Sequence, residues 1–333
     1  MRCYLLQLNK KAYASFCGLA LGDAAGMPFE MLNREKIKKM RKKDQFFYEI
    51  SEDHFMQRDL KKAEITDDTL LSLHLARFLI DNQGEIDRDQ YFNNMAEYIK
   101  ENKLIQKGVI GPSTGRSVSK ILQDQSFTIS ERAGFSSGLV MKITPLGLIF
   151  KSTETEKILK AIEKIAYYSH YTDAAISAAA AAVAVISAAL ENQDFNSIIN
   201  NAFKLMQKAE NYGLKTFQPS PYRRSEFLLS YIENKEKEEA LDFISRVMGT
   251  GINSFEVLPA ALAVFKLYKN QPDKAIEAAV GLGGDTDTIA AVTGSFIGAY
   301  HGADVFGKEK LDYLFEINDL NLKELADNLI QLR

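Results

Sequence analysis

The sequence predicts an all-α fold, and three observations carry that expectation. Strand signals are scarce: no run of alternating β-branched residues leads into a hairpin turn, and only seven prolines interrupt 333 residues. Apolar residues instead recur at helical spacing along most of the chain. No low-complexity linker or fixed-period repeat divides it, and an apolar content of 46% suffices for a sizeable core. One compact domain over residues 1–333 is expected, its helices packed in more than one layer because so many must share a core.

In chain order, the periodicity places helices at Lys11 to Ala25, Asp67 to Asn82, Asp89 to Glu101 and Ser113 to Asp124. Further helices follow at Ser136 to Phe150, Glu154 to Tyr168, Thr172 to Glu191 and Phe195 to Tyr212. The last third adds Ser225 to Met248, Ser254 to Lys269, Pro272 to Val280, Thr286 to Tyr300 and two short helices beyond Lys308. Thr172 before Asp173, Ser113 after Pro112 and Asp285 before Thr286 are start signals, since their side-chain oxygens can accept from the free N–H groups of a first turn. Arg41 to Ile65, with His54 and Phe55 in its middle, is charged and aperiodic, hence a surface excursion or a short hairpin. Ala174 to Leu190 is mostly alanine, broken by Ser177 and Ser187, and shorter than the roughly 20 residues of a comfortable membrane span. Alanine has the highest helix propensity and lets neighbouring backbones approach, so a buried packing helix is expected there.

Charge and cysteine usage narrow the function. A net charge of -3 argues against a dedicated nucleic-acid binder, whose affinity rests on a basic surface. The basic run Lys36 to Lys43 reads as a solvated surface helix. Cys3 and Cys17 have neither zinc-site spacing nor a disulfide framework, which points to inert thiols in a reducing cytoplasm. Lys10 and Lys11 interrupt the first apolar run too early for a secretory signal. The expected setting is cytoplasmic, away from membranes, as a monomer.

Two acidic clusters lie more than two hundred residues apart, each at the start of an apolar helical pattern. The first is Thr66-Asp67-Asp68-Thr69. Neighbouring residues inside a helix point about 100° apart, but at an N-terminus the turning chain lets cap and first-turn side chains converge, and the dipole favours negative charge there. Alone, the cluster reads as capping. The second, Gly281-Leu282-Gly283-Gly284-Asp285-Thr286-Asp287-Thr288, precedes a small apolar run, Ile289 to Ala299, expected to be a central buried helix. Gly283 and Gly284 allow a ligand close to the backbone. Paired carboxylates at the mouth of a buried helix are costly to desolvate without a cation, and carboxylates with hydroxyls suit a hard divalent ion. A third segment, Gly22-Asp23-Ala24-Ala25-Gly26-Met27-Pro28-Phe29-Glu30, ends the first long helix in a glycine and proline turn. There Asp23 either hydrogen-bonds a substrate or holds the turn, and Glu30 is a candidate base for activating water.

This set of motifs, in this order, resembles the ADP-ribosylglycohydrolase family, which includes the dinitrogenase reductase-activating glycohydrolase and the ADP-ribosylarginine and ADP-ribosylserine hydrolases. Ser136 to Gly147 resembles the family's glycine-methionine-arginine-proline segment, and Ser169-His170 its serine-histidine motif. The likeness runs from about Ala14 to Gly302, nearly the whole chain. It implies an orthogonal helical bundle holding two magnesium or manganese ions, with Thr66, Asp67, Asp68, Asp285, Asp287 and Thr288 as ligands. It further implies Glu30, with Asp67 and Asp68, as the catalytic set, and Gly134, Ser136, Ser137, Gly138 and His170 as substrate contacts.

The implied activity is hydrolysis of the bond between ADP-ribose and a protein side chain or small conjugate, at the anomeric carbon of the distal ribose. Three departures bear on the leaving group and proton transfer: Lys142 replaces the usual arginine after Met141, Ser137 stands where relatives often have asparagine, and Val109 falls where some relatives carry an aspartate. The alternative is a non-catalytic ADP-ribose-binding or structural member of the same fold, of the crystallin kind. Retention of every acidic position argues against it, because metal ligands have little packing value. A phosphohydrolase or prenyl-diphosphate enzyme would need DDxxD-type or His-Asp motifs that are absent. His74 reads as packing, His54 and His301 attract no functional reading, and Tyr167, Tyr168 and Tyr171 read as core or as an aromatic surface for adenine.

Overall fold

Two small-residue helices meet at the centre of the molecule and set the position of everything else. The computed structural model describes residues 2–54, 56, 58–302 and 305–333; the Cys3 thiol and Phe55 lie outside the described side chains and residues. The helices are α1 (Arg2–Gly26), α2 (Arg34–Met40), α3 (Asp67–Asp81), α4 (Arg88–Glu101), α5 (Pro112–Leu122) and α6 (Ile129–Arg132). Then follow α7 (Thr144–Ile149), α8 (Thr155–Ala166), α9 (Asp173–Leu190), α10 (Phe195–Ala209), α11 (Pro221–Tyr231) and α12 (Lys237–Phe243). The chain closes with α13 (Ser254–Tyr268), α14 (Pro272–Val280), α15 (Thr286–His301), α16 (Lys308–Asn318) and α17 (Leu322–Ile330). Among the described residues only isolated β-bridges occur, so the fold is all-α, as expected.

The most extensive helix pair is α1 with α15. Its cause is a seam of residues lacking side-chain bulk. A Cβ on Gly18 would lie 2.0 Å from the Gly294 carbonyl oxygen, one on Gly22 2.1 Å from that of Ala290, and one on Gly26 2.4 Å from that of Thr286. From the other side, a Cβ on Gly298 would meet the Ala14 carbonyl oxygen at 2.0 Å. Glycines four apart on α1 occupy one face, so the two backbones touch along the whole seam. Contact at this range brings the C-terminal end of α1, which leads into Glu30, beside the N-terminal end of α15, which carries Asp285 and Asp287.

The alanine helix α9 is the second central element. Every residue from Ala174 to Leu190 is buried, under α7, α8, α10, α11, α13 and α15. It is long and apolar enough to cross a membrane, but its side chains are spent inside the protein. Lys11, inside α1, donates to the Ala189 carbonyl at the end of α9 at 2.6 Å, a cation placed against free C-terminal carbonyls. The helix α1 begins at Arg2, ahead of the expected start at Lys11.

Two expected helices are interrupted. Ser136 to Phe150 is turn structure until α7 begins at Thr144, because Pro145 is accommodated in a first turn, where its missing N–H is not needed. Ser225 to Met248 is three pieces: α11 ends in a 3₁₀ turn at Ile232–Asn234, α12 follows, and a π turn at Ile244–Met248 stops at Gly249 with φ +84°. Between Ile232 and Ala240 no apolar residue appears, so no buried stripe holds a continuous helix. The 41–65 segment contains no hairpin among its described residues; it is a turn-rich excursion.

Candidate metal centre

The two acidic clusters and Glu30 share one cavity. It has a volume of about 370 Å³ and is lined by Glu30, Arg58, Asp67, Asp68, Asp285, Asp287 and Thr288, with Gly108–Thr114 (a loop running into the first turn of α5), Ser136, Ser137, Gly138, Met141, His170, Met31, Met56 and Ile252 forming the remaining wall. Carboxylate oxygens of Glu30, Asp285 and Asp287 lie within 4.8 Å of one another.

Each wall is held by the local chain. Thr66 caps α3, its hydroxyl accepting from the Asp68 N–H, so Asp67 and Asp68 leave the first turn together. Beneath them Asp23, fully buried, accepts from the Thr66 N–H at 2.9 Å, the Thr66 hydroxyl at 2.8 Å, the Thr69 N–H at 3.1 Å and the Thr69 hydroxyl at 2.6 Å. One carboxylate of α1 thereby fixes the entry of α3. The Gly111 N–H donates to Asp67 Oδ2 at 3.2 Å, tying the Gly108–Thr114 loop to the acidic face.

On the facing side, Gly283 and Gly284 have φ near +80°, and Cβ atoms there would strike the Leu32 and Thr250 carbonyl oxygens at 2.6 and 1.9 Å. The Met31 N–H donates to the Gly284 carbonyl at 2.6 Å and the Gly284 N–H to Leu32 at 2.9 Å, a clasp that joins the Glu30 turn to the Asp285 turn. The Ser137 hydroxyl donates to Asp285 Oδ2 at 2.9 Å. The Thr286 hydroxyl donates to the Gly26 carbonyl at 2.8 Å, closing the seam at the mouth of the site.

Crowding of like charge out of water shows in the acidities. Burial, and after it Asp287, pushes Asp68 and Asp285 well above the usual carboxylate range. Burial raises Asp67 to about 7, tempered by the Gly111 N–H, and raises Glu30 to about 10, with Asp287 adding and Arg58 opposing. Asp68 Oδ1 is buried and has no hydrogen-bond partner in the protein. An all-oxygen donor set with an orphaned carboxylate oxygen suits a hard divalent cation.

The residues expected from sequence divide into two groups. Glu30, Asp67, Asp68, Ser136, Ser137, Gly138, His170, Asp285, Asp287 and Thr288 line the cavity; Asp23, Thr66, Gly134, Gly283 and Gly284 stand behind it. Asp23 does not hold its own turn; its carboxylate accepts from Thr66 and Thr69 and fixes the start of α3. Gly283 and Gly284 let the Leu32 and Thr250 backbones approach closely. Gly134 lies under the Ser169 carbonyl, and its own carbonyl accepts from Thr172. His170 is fully enclosed, with Nε2 on the Ser136 hydroxyl and Nδ1 on the Ser169 hydroxyl, both at 2.9 Å, and burial keeps it neutral. A Cβ on Gly138 would meet its ring at 2.8 Å, so that glycine makes room for the imidazole. His74 packs between Tyr91 and Tyr98 and bonds Asn94, the packing role expected of it.

Three residues escaped sequence reasoning. Arg58, from the aperiodic 41–65 segment, pairs with Glu30 at 2.5 Å and approaches Asp287 at 3.7 Å. His54 donates from Nε2 to the Glu30 carbonyl at 2.9 Å, with Nδ1 accepting from Met56. Lys142, noted only as a departure, is fully buried with no hydrogen-bond partner for its amine; burial lowers it to about 8 and Asp67 attracts it. No local pattern announces Arg58 or His54, since their segment has no period.

Known proteins resemble the chain over stretches that range from 17% to 98% of it. YegU of Escherichia coli strain K12, an uncharacterized protein, is 27% identical over 326 residues, 98% of each chain. An uncharacterized protein of Archaeoglobus fulgidus is 29% identical over 306 residues, 88% of each. Human ADP-ribosylhydrolase ARH3 is 41% identical over 68 residues, 17% of this chain and 18% of that one. A solved structure described as an ADP-ribosylglycohydrolase-related protein complex shares the fold, with a TM-score of 0.63 at 21% identity over 98% of this chain and 99% of that chain. The ADP-ribosylglycohydrolase family model matches residues 6–333, and the chain belongs to that family.

Proposed function

We propose that this protein is a divalent-metal-dependent hydrolase that cleaves the glycosidic bond between ADP-ribose and a protein side chain or a small ADP-ribosyl conjugate. The observation that carries the reading is the convergence of Glu30, Asp67, Asp68, Asp285 and Asp287 on one cavity in a chain of this family. Charge supports bound cations. Among the described residues, five lining carboxylates with Asp23 behind them have Arg58 and Lys142 as their nearby cations, an excess of negative charge that divalent cations would neutralise. Asp67, Asp68, Asp285, Asp287 and Thr288, which line the cavity, would hold magnesium or manganese, with Thr66 supporting Asp68 from behind, and the bound ions would polarise the ribose hydroxyls and lower the pKa of an attacking water.

The chain's own groups do the rest. Water adds at the anomeric carbon while the bond to the leaving side-chain atom breaks. Glu30, beside Asp287 and ionised once cations occupy the site, would take the proton that water loses and pass it to the departing side-chain atom. The fixed carboxylates balance positive charge on the ribose ring in an oxocarbenium-like transition state. Because the carboxylates act around cations, the spacing rule for paired-carboxylate glycosidases does not apply. Neutral His170 holds the Ser136 hydroxyl at the wall, and the Gly108–Thr114 loop, anchored on Asp67, closes the other side.

The test is a substrate panel. With magnesium or manganese, the purified protein should release free ADP-ribose from an arginine-, serine- or small-molecule-linked conjugate, read by mass spectrometry, and Asp67→Ala or Asp287→Ala should abolish release. Bound metal with no release from any conjugate would support the non-catalytic reading.

A further inference from the structure

The 41–65 segment lays one cation into the acidic cavity from outside the helical framework. It is tethered at several points: Phe29 stacks edge-on to Tyr48 at 5.0 Å, His54 bonds the Glu30 carbonyl at 2.9 Å, and Asn318 bonds Ile65 and Ala63 at 3.0 and 2.7 Å. Between these tethers Arg58 reaches Glu30 and Asp287, with only 12% of its side chain exposed.

We propose that Arg58 is the site's internal counter-cation: in the metal-free protein its guanidinium holds Glu30 and Asp287 together, and divalent cations take its place on those oxygens. The inference rests on the metal-binding reading of the cavity and adds a positioning residue to it. Three ionised acidic side chains with oxygens within 4.8 Å of one another repel unless a cation lies among them. Among the described residues, Arg58 is the cation that forms ion pairs with this group. Lys142 cannot substitute for it, because that amine is enclosed behind Asp67 and makes no hydrogen bond. A guanidinium and a divalent ion cannot share the same Asp287 oxygen without strong repulsion. Arg58 can withdraw without unpacking a helix, since none of the described residues of its segment is helical. The arrangement keeps the site assembled while empty and sets its metal affinity below that of the bare carboxylates.

The experiment titrates manganese alone against the full chain and against Arg58→Gln and Arg58→Lys, with free manganese read by electron paramagnetic resonance. Thermal denaturation is followed in chelator and in saturating manganese. Arg58→Gln should melt lower than the wild type in chelator, lose that deficit in manganese, and bind the ion about tenfold tighter or more, as removal of one nearby positive charge implies. Arg58→Lys, which keeps the charge, should stay near the wild type in both measurements. An equal melting deficit with and without manganese, or unchanged or weaker affinity, would overturn the proposal and leave Arg58 a structural contact. If the wild type and variants bind alike, only the role of Arg58 falls; if none binds manganese, the metal reading of the cavity falls with it.

Discussion

The seam between α1 and α15 is where packing and chemistry are most tightly coupled, and Gly22→Ala tests that coupling. The added Cβ would lie 2.1 Å from the Ala290 carbonyl oxygen and 2.5 Å from the Ala291 nitrogen, against 3.4 Å for ordinary contact. The helices must part by about 1.3 Å at that level, the difference between 3.4 and 2.1 Å. Overpacking of this kind costs about 1–3 kcal/mol, and the better helix propensity of alanine returns up to about 1 kcal/mol. A modest fall in melting temperature is therefore expected. The larger effect is on the site: Glu30 follows α1 and Asp287 opens α15, so a shift of order 1 Å there is expected to lower turnover about 100-fold. Manganese affinity should fall as well. Gly115→Ala on α5 is the control, since its nearest contact would be Ile110 at 3.8 Å; it should leave stability and metal affinity unchanged or slightly improved. Differential scanning calorimetry and manganese titration report both effects. Gly22→Ala with wild-type melting and wild-type affinity would refute the seam as the device that positions the site.

Metal-free protein should lose stability as pH rises. Asp23 and Asp67 are raised to about 6 and about 7, so the folded state holds protons that the unfolded state has released. Their contribution is present below the unfolded carboxylate range near 4 and lost as pH climbs through 6 and 7. Melting scans from pH 4 to 8 in chelator should slope downward, and saturating metal should flatten the slope; a rising chelator curve would contradict the crowded-carboxylate picture. Asp23→Ala should cost about 3 kcal/mol or more of stability by orphaning several buried donors on α3. If Asp23 instead served the substrate, that variant would keep its melting temperature and raise KM alone.

What was legible in the sequence is what local periodicity and turn chemistry encode. The alanine run of α9, the caps at Thr66 and Thr172, and the acidic turns at Asp67 and Asp285 all announce themselves within a few residues, whereas Ser113 lies inside α5, which starts after Gly111, and Asp285 makes no capping hydrogen bond. The meeting of those turns was inferred from the chemistry of desolvated charge and from resemblance, and the cavity contains them. The interruption of Ser225 to Met248 was readable in the apolar gap before Ala240. Less visible was the division of labour around the site. Gly22, Gly26, Gly283 and Gly284 each let a neighbouring backbone approach, and only tertiary contacts reveal which one. Asp23 belongs to the same motif as Glu30 but points beneath α3. Arg58 and His54 act from a segment without a period, where no pattern assigns a direction to any side chain.

The most direct test of the central claim is anomalous diffraction from crystals grown with manganese. The arrangement predicts manganese peaks inside the cavity, two at full occupancy, bridging Asp67 and Asp68 on α3 to Asp285 and Asp287 at the mouth of α15, with Arg58 moved off Asp287. Saturating manganese with no peak in the cavity, or with peaks only elsewhere on the molecule, would contradict it.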